Sequence, residues 1–211
     1  LKIYTTLDMD AQNAAVAAMQ NLPDFYTDKN GLHQPQGAIV AMNPHNGYIV
    51  AMVGGRGDDA FNRATQAERQ PGSAMKPFVY LAAIQSGKTP GSIVEDSPVS
   101  FGSWSPKNYE NDYEGSMTYR YALQHSRNVA AVKIADEVGM TKVIKLAKEM
   151  GISTLTDQDY NLSTALGGLT HGVTPLEMVQ AYGVLANGGI KVQPTAILKI
   201  VDRNGQVVEE H

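Results

Sequence analysis

The sequence predicts an α/β domain of the α+β kind, with helices packed on a mainly antiparallel sheet. Three observations lead there. Two pairs of strand-like runs are each closed by an Asn-Gly turn, a connection that joins antiparallel neighbours. Capped helical patterning fills most of the span between the two pairs. A chain of 211 residues, 43% apolar and 18% charged, can bury one sizeable core, so one main domain is expected.

The elements follow in order. Lys2 to Leu7 alternates polar and apolar side chains and reads as a strand, after which Asp8 caps a helix from about Met9 to Met19. GAIVAM and YIVAMVGG, between Gln36 and Gly54, flank Asn43-Pro44-His45-Asn46-Gly47 and form a hairpin. Arg56 to Gln70 is polar without an apolar period and ends in Pro71-Gly72. A helix is then expected over Ser73 to Gln85, with Ser73 at its start. Thr89 to Gly115, rich in Pro, Ser, Gly and Asn, reads as a long ordered loop with one short strand. Further helices are expected at about Thr118–His125, Val129–Val138 and Thr141–Met150, punctuated by Gly139 and Gly151. Thr174-Pro175-Leu176-Glu177 is a capping box opening a helix to about Ala186. TAILKIV and QVVEE, joined through Asn204-Gly205, form the second hairpin.

Composition excludes several classes. The net charge of −4 provides no basic field for a phosphate backbone, so nucleic acid is not expected as a partner. The absence of cysteine removes thiol catalysis, thiolate metal sites and disulfides, and suits an oxidising compartment. The longest apolar run, about Tyr48 to Val53, is far below the roughly 20 residues that span a bilayer, which puts any anchor outside this stretch. His33, His45, His125, His171 and His211 lack metal-ligand spacing. Gly54-Gly55-Arg56-Gly57 lacks the Lys-Ser/Thr ending of a phosphate loop and reads as a strand exit.

The chemistry concentrates at two short motifs. Ser73 and Lys76 are three residues apart, which on a helix puts hydroxyl and amine on one face. A serine attacks well only when a base takes its proton, and a lysine serves as that base once burial or a nearby cation lowers its pKa. At a helix start the Ser73 N–H is also free to face a developing oxyanion. Ser-x-x-Lys alone is a weak signal, since most such pairs are solvated surface. Ser126-Arg127-Asn128 at a joint between helices strengthens it: a hydroxyl can relay a proton to a leaving amine, and an amide can hold both lysine and substrate carbonyl. Arg63 and Arg127 read by default as solvated surface charge, with steering of an anionic substrate as the other reading.

The runs FNRATQAERQPGSAMKP, WSPKNYENDYEG and HSRNVAAVKIADEVG resemble the transpeptidase domain of class A penicillin-binding proteins, whose fold is that of the serine β-lactamases. TTLDMDAQNAAVAAM resembles the segment linking the glycosyltransferase and transpeptidase domains. Residues 1–35 are therefore expected as linker strand and helix and 36–211 as transpeptidase domain. The resemblance implies Ser73 as acylated nucleophile, Lys76 as general base, Ser126 as proton shuttle and Asn128 as the residue orienting substrate. Trp104, Asn108 and Tyr109 resemble residues bordering the cleft, as substrate contacts or as anchors of their loop. It further implies D-Ala-D-Ala stem peptides and β-lactams as partners, no metal or organic cofactor, and work on the extracytoplasmic face of the bacterial membrane.

The sequence departs from the family pattern at its third motif, Lys-Thr-Gly. The only Lys-Thr pair, Lys88-Thr89, precedes Pro90 and reads as a helix exit. The chain is thus expected to be a piece, impaired by the missing strand, whose absent partners are the glycosyltransferase domain and the rest of the transpeptidase domain. A lost oxyanion donor alone costs about 10²–10³ in rate. A β-lactamase is disfavoured because none of Glu137, Glu149 or Glu177 opens a Glu-x-x-Leu-Asn pattern. A D-Ala-D-Ala carboxypeptidase and a non-catalytic binding piece are the remaining alternatives.

Overall fold

A computed structural model describes residues 1–57 and 59–210; His211 lies outside the described residues. In chain order the elements are β1 (Lys2–Thr5), α1 (Met9–Gln20), β2 (Tyr26–Thr27), β3 (His33–Gln34), β4 (Ile39–Met42), β5 (Ile49–Val53) and α2 (Arg63–Gln66). Then come α3 (Lys76–Gln85), β6 (Ile93–Asp96), β7 (Gly115–Thr118), α4 (Tyr119–Gln124), α5 (Asn128–Val138) and α6 (Met140–Met150). α7 (Pro175–Ala186), β8 (Ile197–Val201) and β9 (Val207–Glu210) close the chain. Two compact units result, Leu1–Glu68 with Val173–His211, and Arg69–Gly172. Within the first unit α1 packs on β5.

In the first unit the expected hairpin is β4 paired antiparallel with β5, Val40 opposite Met52 and Ala41 opposite Ala51. The second hairpin, β8–β9, turns through Asn204-Gly205 and pairs with β1, giving the antiparallel order β1-β8-β9. Strand patterning had suggested both partners but not that they meet, since pairing across some 190 residues leaves no local trace. Asp8 caps α1 through its carboxylate, which accepts from the Asp10 and Ala11 N–H groups. α7 packs on β4 and is closed by the expected box, Glu177 N–H to Thr174 Oγ1 at 3.2 Å and Thr174 N–H to Glu177 Oε2 at 2.9 Å. The polar stretch after Gly57 contains the short helix α2, which Asn62 caps and Ala64 anchors by full burial.

In the second unit α3 packs against α5 and α6. Phe78 and Val79 of α3, and Val132 and Ile134 of α5, are fully buried, each worth about 1.5–3 kcal/mol. α6 shows its periodicity plainly: Val143, Ile144, Ala147 and Met150 face inward while Lys142, Lys145 and Lys148 are exposed. The stretch expected as a loop with one strand holds β6, which pairs antiparallel with β7 just beyond it, Val94 opposite Met117. Lys88-Thr89 is a helix exit as expected, Gly87 adopting φ 95° and the Lys88 N–H returning to Ala83 O at 3.1 Å. The strands form four small antiparallel sheets.

Candidate active site

Pro71 and Gly72 lead into a tight 3-10 turn, Gly72–Met75, and the chain relaxes into α3 at Lys76. Ser73 thus stands one turn ahead of the α-helix, at the open end where N–H groups lack partners. Its side chain is exposed, and its hydroxyl has no hydrogen-bond partner among the described residues. The expected pairing of that hydroxyl with the Lys76 amine is not made; the amine is engaged elsewhere.

Lys76 is 1% exposed, an unusual place for an ammonium. Its Nζ donates to Ser126 O at 2.5 Å, Ser126 Oγ at 2.8 Å and Asn128 Oδ1 at 2.6 Å. Three acceptors meet three donors, so the charged form is fully hydrogen-bonded but has no carboxylate partner among the described residues. Burial then dominates and pushes the pKa down from 10.5 to about 8. At pH 7 this leaves roughly one amine in ten neutral, against about one in three thousand at the ordinary value.

The acceptors are not equivalent. Asn128 Nδ2 donates to Lys107 O at 3.0 Å, which fixes the amide with Oδ1 toward lysine. That oxygen and Ser126 O can only accept, whereas Ser126 Oγ can also donate. A neutral Lys76 therefore keeps its two hydrogens on the obligate acceptors, which leaves its lone pair for a hydroxyl proton, that of Ser126 or that of Ser73.

Ser126 occupies the joint between α4 and α5 with φ 52°, in the left-handed region that non-glycine residues enter at a cost. The chain holds it there from both sides: Ser126 N–H returns to Leu123 O and Arg127 N–H to Ala122 O. Arg127 is buried, not solvated. Its Nε and Nη2 donate to Asp96 Oδ2 at 2.9 and 2.6 Å, and its Nη1 to Glu114 Oε1 at 2.9 Å. Arg63, in the first unit, is paired with Asp59 at 2.6 Å.

The three residues expected at the cleft border separate. Asn108 is 5% exposed and committed to structure: Oδ1 accepts from the Asn128 and Val129 N–H groups, capping α5, and Nδ2 donates to Asp96 and Asp112 O. These bonds cap α5 and suit the second of its two expected roles, an anchor of its loop. Trp104 is half-buried against Phe101, ring centroids 6.3 Å apart, and anchors its loop. Tyr109 is 96% exposed. Glu137 is held by Lys88, and Glu177 closes its capping box. Among the described residues no cluster of His, Asp or Glu could hold a metal.

Residues 37–211 match the penicillin binding protein transpeptidase domain family. The chain belongs to that family. Penicillin-binding protein 1A of Rickettsia typhi is 39% identical over 201 residues, covering 92% of this chain and 25% of that protein. Penicillin-binding protein 1A of Aquifex aeolicus is 44% identical over 184 residues, covering 83% and 25%. The chain thus spans about a quarter of the length of the curated relatives it matches. The PonA1 protein from Mycobacterium tuberculosis, in complex with penicillin V, aligns with a TM-score of 0.84 at 28% identity, over 99% of this chain and 57% of that one. The mixed arrangement of helices and antiparallel sheets is the penicillin-binding fold.

Other residues of this transpeptidase-family site escaped the sequence. Gln70 grips Leu169 with both ends of its amide, Nε2 to Leu169 O at 2.5 Å and Oε1 from Leu169 N–H at 2.6 Å. Gly167, at φ 78°, lies so close to Gly72 that a Cβ there would come within 2.3 Å of the Gly72 nitrogen. The segment before Ser73 is therefore clamped by the one that follows α6. Asp96 and Gln70 gave no signal, since single polar residues in loops carry no period.

Proposed function

We propose that the chain carries the acyl-transfer centre of a peptidoglycan D,D-transpeptidase, with Ser73 as nucleophile. The observation that carries this reading is the buried Lys76 amine, unpaired by any carboxylate and held by Ser126 and Asn128. Neutral Lys76 takes the Ser73 Oγ proton as Oγ attacks the carbonyl of the penultimate D-Ala. The Ser73 N–H meets the developing oxyanion. As the tetrahedral adduct collapses, the C–N bond breaks and the leaving D-Ala amine takes a proton from Ser126 Oγ, which Lys76 replenishes. An acceptor amine from a second stem reverses these steps and carries off the acyl group. A β-lactam follows the first half: its ring amide opens onto Ser73 and its nitrogen is protonated along the same route. The penicillin V complex of PonA1 supports this half of the reading.

The whole protein is proposed to work on the outer face of the bacterial membrane, with a glycosyltransferase domain and the remaining transpeptidase strands as partners. No helix among the described residues is long and apolar enough to cross a membrane.

Intact-mass spectrometry after incubation with benzylpenicillin tests the assignment, with Ser73→Ala as control. One adduct of the drug's mass is expected, absent from the control. An adduct that persists in Ser73→Ala would remove Ser73 as nucleophile.

A further inference from the structure

Asp96 is fully buried on β6, carries no part of the proposed proton route, and yet reaches the two residues that follow Ser126, Arg127 directly and Asn128 through Asn108. Its carboxylate accepts from Asn108 Nδ2 at 2.8 and 3.1 Å, from Arg127 Nε and Nη2 at 2.9 and 2.6 Å, and from the Glu114 N–H at 3.2 Å. On one side it grips Arg127, the residue after Ser126. On the other it orients the Asn108 amide, whose oxygen holds the N–H groups of Asn128 and Val129. With the Nδ2 end on Asp96, the Asn108 oxygen has no choice but to face the start of α5.

We infer that Asp96, acting through Asn108 and Arg127, is the positioning residue that holds Ser126 and Asn128 on the Lys76 amine. The inference rests on the proposed acyl-transfer role. Two features give it weight. Ser126 sits at φ 52°, a conformation that persists only where its surroundings over-determine it. The two residues that follow Ser126 are pinned, Arg127 by a buried ion pair of 2.6 Å and Asn128 by the Asn108 cap at 2.9 Å. A buried charge pair with one partner removed is strongly destabilising, so the network has little freedom to settle elsewhere.

The Lys76 amine reports the geometry. Its contact with Asn128 Oδ1 favours the ammonium, so loosening Asn128 lowers the Lys76 pKa further. The charged groups of neighbouring helices are committed elsewhere, Glu137 to Lys88, Lys133 to Glu95 O and Ser97, and Lys145 to Glu149.

The test is the pH profile of acylation by a fluorescent penicillin in the intact protein, measured for Asp96→Asn, Asn108→Asp and the double variant. Asn108→Asp sets two carboxylates face to face; the double variant restores one donor and one acceptor in swapped positions. Each single change is expected to slow acylation, Asn108→Asp by about 10²-fold, the scale of a misplacement near 1 Å, and Asp96→Asn to move the rising limb to lower pH. The double variant should recover most of the rate and return the limb. An unmoved limb in Asp96→Asn, or a double variant no better than Asn108→Asp, overturns the inference. Should Asn108→Asp not fold, Asn108→Ser keeps a helix cap, loses the reach to Asp96, and carries the same pH test. Wild-type protein that is not acylated at all would sink the proposed function instead.

Discussion

In the unit Arg69–Gly172 the charged side chains Lys76, Asp96, Arg127 and Asp159 are buried, whereas among the described residues of the unit Leu1–Glu68 with Val173–His211 the buried polar side chains are the neutral Thr6, Thr174 and Gln180. Those neutral groups tie backbone to backbone: Thr6 Oγ1 donates to Ile49 O at 2.6 Å, and Gln180 Nε2 to Val192 O at 3.1 Å. Burying a charge costs several kcal/mol unless it is paired or richly hydrogen-bonded, so a fold has no reason of stability alone to collect four in one unit. The four also differ among themselves. Asp96 and Arg127 neutralise each other, Asp159 is surrounded by donors, and Lys76 has neither a counter-charge nor an ordinary pKa. The contrast teaches that buried charge here tracks the chemistry, with Lys76 the extreme case.

The largest expected effect follows from that ranking. Lys76→Met keeps the volume and removes the charge, so acylation should fall by about 10²–10⁴ while the thermal midpoint at pH 7 does not drop. A lowered midpoint would class Lys76 with the structural charges and break the contrast. The pH dependence has a definite sign. Burial holds Lys76 at about 8 in the folded chain, below its ordinary 10.5, so between these values the unfolded chain binds more protons. Its contribution to stability therefore rises with pH from about 8 to 10.5 and is least favourable below 8. Acylation should rise toward the same value near 8 and level off above it; stopped-flow labelling across pH 6 to 10 checks both ends.

Asp159 tests the structural kind of buried charge. One carboxylate oxygen accepts from the N–H and hydroxyl of Thr156 at 2.7 and 3.0 Å, the other from the N–H and hydroxyl of Thr170 at 2.7 and 2.8 Å. Burial pushes its pKa up, but these donors together outweigh it and leave the pKa below 3.8. Asp159→Asn turns one acceptor into a donor facing two donors, an expected loss of about 3 kcal/mol by urea unfolding. The depressed pKa means that the carboxylate stabilises above the ordinary carboxylate value and that this contribution fades as pH falls through the folded value. The variant should therefore lack the part of the acid-induced loss that Asp159 supplies. A variant as stable as wild type would show the charge to be dispensable to the turn.

Most of this fold was legible because its signals are local. The Asp8 cap, the Asn-Gly hairpin turn and the Thr174–Glu177 box each sit within five residues of chain, and each forms as read. β7 escaped because Gly115–Thr118 is short, holds a glycine and gains its place only by pairing with β6, some 20 residues earlier. The site divides the same way. Ser73, Lys76, Ser126 and Asn128 stand in motifs, and the structure brings three of them into direct contact. Asn108 was singled out only by family resemblance, which left substrate contact and loop anchor open. Its role as a helix cap depends on α5 beginning 20 residues later. Arg127 read as surface charge because nothing near it in sequence announces Asp96.

The smallest expected effect lies in the unit without buried charge. Thr174→Ala removes the hydroxyl that accepts from the Glu177 N–H at 3.2 Å and donates to Glu177 Oε2 at 3.1 Å, while the Thr174 N–H keeps its bond to that carboxylate. A lost cap of this kind costs about 1 kcal/mol. In a chain of this size that is a fall of about 2–4 °C in midpoint, measured by calorimetry. The lost groups are neutral, so the decrement should be the same at pH 6 and pH 9, and acylation should keep its rate and its limb near 8. A decrement that grows across that range, or a shifted acylation limb, would mean that this cap feels the Lys76 charge and that the two units do not divide structure from chemistry.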